Sequence, residues 1–107
     1  MNVWQVEYTQ EAAKDLRKIK EPVKSHVLKA IRKVSTNPLP QSEGGYGKPL
    51  SNRNGSNLAG FLKIKIRGDG VRIVYQLRRT ETTMSIVVIG IRDDDWVYKE
   101  ADRRINR

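Results

Sequence analysis

The residues with the most chemical potential in this chain are cations set on alternate positions. Leu62-Lys-Ile-Lys-Ile-Arg67 and, after Gly68-Asp69-Gly70, Val71-Arg-Ile-Val-Tyr-Gln-Leu77 both alternate apolar with polar side chains. A strand sends successive residues to opposite faces. Lys63, Lys65, Arg67 and Arg72 therefore gather on one face, while Leu62, Ile64, Ile66, Ile73 and Tyr75 point to a core. A surface of this kind suits a phosphate backbone. One reaction needs little beyond it, because RNA carries its own nucleophile. The 2′-hydroxyl attacks the adjacent phosphate once the two are in line. The protein then supplies a base near the hydroxyl, a proton donor for the leaving 5′-oxygen, and cations around the charged phosphorane. Lysine, arginine and tyrosine fill these roles where clustering shifts their pKa values, since neighbouring cations lower those of lysine and tyrosine.

Other chemistries find less support. The single histidine, His26, lies beside the apolar stripe of a helix and reads as a boundary or surface residue. The absence of cysteine removes disulfides and thiolate metal sites. Asp93-Asp94-Asp95 is an acidic run, but three consecutive carboxylates do not converge on one ion in most backbone conformations. A solvated turn in which Asp95 caps a helix is the simpler reading. Gly68 and Gly70 belong to a turn with no helix after it, so they form no phosphate-cradling loop. No serine, cysteine or histidine arrangement suggests a nucleophilic triad. The expected site holds no metal and no cofactor. The net charge of +9, from 21 lysines and arginines against 12 acids, favours an anionic partner.

The elements that must position these residues follow from periodicity. Val3, Gln5 and Glu7 alternate with Trp4, Val6 and Tyr8, which predicts a first strand. Thr9 is a helix N-cap, with Glu11 in the first turn. Ala12, Ala13, Leu16 and Ile19 recur at helical spacing, with Lys14, Asp15, Arg17 and Lys18 facing away. Glu21-Pro22 breaks this helix and opens a second at the first helical position. Its stripe is Val23, Val27, Ala30, Ile31 and Val34, and it ends near Asn37-Pro38. Residues 38–57 hold the three remaining prolines and read as a long loop from which Leu50 dips into the core. Asp69-Gly70 reads as a two-residue turn. It pairs Arg67 with Arg72, Lys65 with Val74 and Lys63 with Gln76 on one face, and Ile66 with Ile73, Ile64 with Tyr75 and Leu62 with Leu77 on the other. Met84 to Ile91 is a nearly continuous apolar run, expected near the middle of a sheet. Val97, Ala101 and Ile105 mark a last helix. Trp4 and Trp96 read as packing residues.

The predicted fold is α+β: an antiparallel four-stranded sheet packed against two N-terminal helices, in the order β-α-α-β-β-β with a short C-terminal helix. The 107 residues make one domain. No apolar run approaches the ~20 residues of a membrane helix, and the first residues show no signal-peptide pattern. A cytoplasmic protein is the expectation.

Leu62-Lys-Ile-Lys-Ile-Arg67, Gly70-Val-Arg-Ile-Val-Tyr-Gln76, Ile89-Gly-Ile-Arg92 and Val97-Tyr-Lys-Glu-Ala101 together resemble successive core motifs of RelE-type toxins. These belong to the RelE/ParE superfamily of type II toxin–antitoxin systems. Tyr8-Thr9 through Ala12-Ala13-Lys14-Asp15-Leu16 resembles the opening of that family. The likeness covers the chain apart from residues 38–57, a stretch longer here than in compact members. Val71 stands where some relatives carry an aromatic residue.

The resemblance implies a site of five residues. Lys63 and Lys65 would hold the phosphate backbone and assist deprotonation of the 2′-hydroxyl. Arg72 would stabilise the transition state, and Arg92 would protonate the leaving group. Tyr98 would act as a base or as a base-orienting and stacking residue, the choice between it and a lysine remaining open. With Arg67, the residues Lys63, Lys65 and Arg72 would form the RNA-binding surface. The implied activity is that of a ribosome-dependent mRNA interferase. It would cut messenger RNA in the ribosomal A site to a 2′,3′-cyclic phosphate and a 5′-hydroxyl. The implied partner is a cognate acidic antitoxin in a toxin–antitoxin hetero-oligomer. Two other readings stand beside this one: a non-nuclease inhibitor of DNA gyrase like the ParE branch, and a binding-only module.

Overall fold

The computed structural model describes residues 4–50, 60–91 and 93–105. Val3, Arg92 and positions 51–57 of the expected loop lie outside the described residues. Strand β1 (Gln5–Tyr8) gives way to helix α1 (Gln10–Lys18) at Thr9, whose Oγ1 accepts from the Ala12 amide at 3.1 Å. That bond satisfies one of the amides a helix start leaves open, as a capping threonine should. Helix α2 (Val23–Ser35) begins one residue after Pro22, and the Glu21 carboxylate accepts from the Ser25 amide at 2.9 Å. Strands β2 (Lys48–Pro49), β3 (Phe61–Ile66), β4 (Val71–Arg78) and β5 (Thr83–Gly90) precede helix α3 (Asp94–Ile105).

Among the described residues the sheet has five strands in the order β1-β5-β4-β3-β2. Strand β1 runs parallel to β5, and the other pairs are antiparallel. This corrects the expected four-stranded antiparallel sheet in two ways. Two residues of the segment that reads as loop, Lys48 and Pro49, form the edge strand β2. Helices α1 and α2 also carry the chain across the sheet, so β1 meets the last strand rather than its neighbour in sequence. Alternation encodes which face a residue takes but not which strand lies beside it or in which direction.

The β3–β4 register differs from the expected one by two residues: Lys65 lies opposite Arg72, Lys63 opposite Val74 and Ile64 opposite Ile73. The turn takes in Arg67 to Gly70 instead of Asp69-Gly70 alone. A slip of two preserves the faces where a slip of one would invert them. The cationic set therefore stays together, although Arg67 moves into the turn. His26 Nδ1 lies 2.7 Å from Asp69 Oδ2 and fastens this turn to α2.

Helices cover both sides of the sheet. On one side α1 and α2 enclose Ala12, Val27, Ile31, Ile64, Ile73, Tyr75 and Ile86. On the other, Val97, Tyr98 and Ala101 of α3 pack with Phe61, Val74, Val87, Val88 and Leu50. The face that alternation assigns to the cations thus carries its own core. A bulge makes this possible, because Val74 pairs with Val88 and Tyr75 with Ile86, leaving Val87 between them. Two successive valines then reach the α3 side, which accounts for the unbroken apolar run in β5. The segment before β2 is tied down as well. Buried Tyr75 donates from Oη to the Pro38 carbonyl at 2.8 Å, and burial pushes its phenol pKa up. Among the described residues no helix is long and apolar enough to cross a membrane.

Candidate active site

Lys63 and Lys65 stand two apart on β3, so both side chains leave the sheet on the α3 side. Lys63 is half-buried and donates from Nζ to the Tyr98 hydroxyl at 2.6 Å, with the ammonium 5.2 Å from the centroid of the same ring. An ammonium has no lone pair to accept with, so the phenol oxygen is the acceptor in this bond. The Tyr98 position follows from its helix. Val97, Tyr98 and Ala101 are all buried against β4 and β5, and Tyr98 is 6% exposed. A ring so enclosed has little stacking face to offer, and its hydroxyl meets the Lys63 ammonium.

Lys65 is exposed and faces Arg72 across the hairpin. Arg72 is half-buried and donates from Nη1 to the Gly70 carbonyl at 3.3 Å, which ties its guanidinium to the turn. On its other side Arg72 pairs with Gly90. The ring of Trp96 lies against Gly90, where a Cβ would come within 2.9 Å of it. The row Lys65–Arg72–Gly90 is thus floored by strand and bounded by α3. Lys63 has a second cation opposite it, Lys48 of β2. Like charges directly across a sheet each cost from a few tenths to ~1 kcal/mol. Two such pairs stand side by side on this part of the sheet.

The structure therefore brings together four of the named residues, Lys63, Lys65, Arg72 and Tyr98. Arg67 sits in the exposed turn at the end of the same strand. Arg92 follows Gly90 by two positions in the chain and lies outside the described residues. His26 is exposed and bound to Asp69 of the hairpin turn. The Trp96 amide is capped by Asp93 Oδ1 at 2.9 Å, so the capping acid is Asp93 and not Asp95. Among the described residues no group of three His, Asp or Glu side chains could hold a metal ion.

Asp15 and Arg104 help set this geometry, and the sequence pattern misplaces the first of them. Helical periodicity puts Asp15 on the outward face of α1. Instead its carboxylate accepts from the Ile89 amide at 3.0 Å and from Arg104 at 2.8 Å. Arg104, 8% exposed, also donates to the carbonyl of the bulged Val87 and to Glu100. This network clamps the C-terminal part of α3, and so the helix that presents Tyr98, to α1 and β5. The sequence signal is an acid within one helix and a base in the last turn of another, which does not distinguish a buried ion pair from a solvated one.

Residues 6–96 match the sequence model of the ParE toxin of type II toxin–antitoxin systems, parDE. The chain belongs to this family, within the RelE/ParE superfamily of toxins. Among its relatives, a putative RelE-like toxin protein of Escherichia coli is 26% identical over 102 residues, 95% of this chain and 97% of that one. The mRNA interferase toxin RelE of Escherichia coli K12 is 27% identical over 100 residues, 94% of this chain and 95% of the relative. A toxin–antitoxin complex, RelBE2, from Mycobacterium tuberculosis contains a chain of the same fold. That chain superposes with TM-score 0.69 at 26% identity, covering 88% of this chain and 97% of its own. A mutant form of the Escherichia coli RelE toxin in the free state gives TM-score 0.72 at 24% identity, over 97% of this chain and 99% of that one. The chain is a type II toxin of RelE type.

Proposed function

We propose that this toxin is a metal-independent endoribonuclease that cuts messenger RNA on the ribosome, with Lys63, Lys65, Arg72, Arg92 and Tyr98 as its site. The observation that carries the reading is the Lys63–Tyr98 hydrogen bond beside the Lys65–Arg72 cross-strand pair on one side of the sheet. Lys63 and Lys65 hold the phosphates flanking the cut. The 2′-oxygen attacks phosphorus and gives its proton to a base, either Tyr98 or a lysine. Arg72 neutralises the charge that grows on the non-bridging oxygens. Arg92 protonates the departing 5′-oxygen, leaving a 2′,3′-cyclic phosphate and a 5′-hydroxyl. Each role is filled by a side chain, and no step calls for a metal. The names of the RelE relatives support the same activity.

The partner that restrains it is an acidic antitoxin. The net charge of +9 favours such a protein, and the Mycobacterium tuberculosis and Escherichia coli toxins of this fold occur in complexes with their antitoxins. A second reading, inhibition of DNA gyrase, draws on the ParE description of the matched family. Expression in a growing culture separates the two. The nuclease reading expects arrest with messages cut inside reading frames, and cutting of preassembled ribosome-bound message that survives a metal chelator. Arrest with gyrase-linked DNA breaks and intact messages would overturn it.

A further inference from the structure

A groove of about 440 Å³ runs between α2 and the outer edge of β3. Its floor is apolar, formed by Val34, Ile64 and Ile66, and among the described residues every charged one that lines it is a cation. Lys33 comes from α2, Lys48 from β2, and Lys63, Lys65 and Arg67 from β3 and the turn after it. The groove exists because β2 is short. Pairing with β3 ends at Lys48 opposite Lys63, and the chain before it turns away at Gly47, which bridges to Pro40. Beyond Lys63, no strand among the described residues lies along the outer edge of β3. At the mouth sits Tyr46, 48% exposed, with the Lys33 ammonium 5.4 Å from its ring centroid. Its backbone is braced by a bond from the Tyr46 amide to the Asn37 carbonyl at 3.0 Å.

We propose that this groove carries the single-stranded RNA flanking the cut, with Lys33 and Lys48 on its phosphates and Tyr46 under one of its bases. The inference rests on the nuclease reading for the identity of the site it joins. Continuity is the main argument. Lys63 belongs both to the groove and to the hydrogen-bonded pair with Tyr98, and Lys48 lies directly opposite it. Among the described residues, cations thus span the sheet edge, from Lys63 beside Tyr98 on the α3 side through Lys48 to Lys33 on α2. An aromatic ring on a braced backbone, beside a cationic track, is what single-strand binding surfaces use to stack bases of any sequence. The same cations would attract an acidic peptide, but the link to the reaction site and the exposed ring favour a nucleic acid strand.

The test uses a labelled 2′-O-methyl oligonucleotide, which lacks the attacking hydroxyl, so binding is read without cleavage. One probe has roughly a dozen nucleotides, within the site sizes of single-strand grooves, and the other is a dinucleotide. For the full-length toxin carrying Lys33→Ala and Lys48→Ala, affinity for the long probe should fall about tenfold or more. The slope of log affinity against log salt should flatten by roughly 1.4, at ~0.7 for each of the two phosphates left without its lysine. Affinity for the dinucleotide should fall by a clearly smaller factor, since Lys48 neighbours Lys63 but Lys33 lies beyond the reach of so short a probe. Tyr46→Ala should weaken the long probe by about 5- to 150-fold, the range for removing one stacked base, while Tyr46→Phe should bind as the wild type does. Unchanged affinity and salt slope in the double variant would overturn the groove proposal. If that variant instead binds the acidic antitoxin more weakly and the long probe as before, the groove is a protein-docking surface and the RNA track is likewise overturned. A wild-type toxin that binds the long probe through these residues yet cuts no message would overturn the nuclease reading and leave the track standing.

Discussion

Lys63 of β3 and Tyr98 of α3 are 35 residues apart in the chain, and their Nζ and Oη atoms lie 2.6 Å apart. The bond joins a strand near the sheet edge to a helix on the same side of the sheet, so the site depends on how α3 docks. It also makes the two residues a unit whose loss should not be additive.

Tyr98→Phe removes the hydroxyl and keeps the buried ring. Cleavage of ribosome-bound message should fall by about 10²–10⁴-fold, the usual contribution of a positioned acid or base. Thermal stability should change little, whereas Tyr98→Ala should cost about 3–5 kcal/mol in urea unfolding by emptying a core position. Adding Lys63→Met to Tyr98→Phe should cost much less than the sum of the two single effects on rate. Wild-type cleavage by Tyr98→Phe would remove the phenol from the chemistry.

Arg72→Ala should lower the single-turnover cleavage rate by at least ~100-fold, as for one missing transition-state donor. The effect should appear in kcat more than in KM, because Lys63 and Lys65 still hold the message. Unaltered cleavage would exclude Arg72 from the site.

Arg104→Met should destabilise the fold by about 3–5 kcal/mol, since it leaves the largely buried Asp15 carboxylate uncompensated. Following it with Asp15→Asn should recover part of that stability. Equilibrium unfolding of both variants is the measurement, and a decrease below ~1 kcal/mol would mean that the pair is effectively solvated.

Gly47→Ala should destabilise by about 1–3 kcal/mol through overpacking. A Cβ there would run into the Tyr75 hydroxyl, the Leu62 side chain and the Pro38 carbonyl. Because the Tyr75–Pro38 bond anchors the approach to β2, this variant should also loosen the wall of the groove, read as faster amide exchange at Leu50, whose amide bonds to the Phe61 carbonyl.

Acid should weaken the α3 clamp. Hydrogen bonds, first from Arg103 and then from Arg104, hold the Glu100 carboxyl at a pKa of about 2 against an ordinary 4.5. The folded value lies below the unfolded one, so the stabilisation is complete above about 4.5 and disappears as the pH falls toward 2. The melting temperature should therefore drop across that window, and Glu100→Gln should flatten the drop. An identical pH profile in the two proteins would show that Glu100 does not contribute.

Much of this protein is legible in its residues taken in order. The period-two alternation of Leu62 to Arg67 and Val71 to Leu77 decides which side chains share a face, and that result survives a register shift of two. Thr9 marks a helix start by its own chemistry, and Val97 and Ala101 mark the buried stripe of α3. These are local properties, set by backbone period and by nearby hydrogen bonds. The tertiary structure alone decides the rest: the parallel pairing of β1 with β5, the bulge at Val87, the inward turn of Asp15 to Arg104, and the docking of α3 that brings Tyr98 to Lys63. Each joins residues far apart in the chain. Such joins depend on which surfaces exclude water together and which polar groups are left to be satisfied, and no single segment records that.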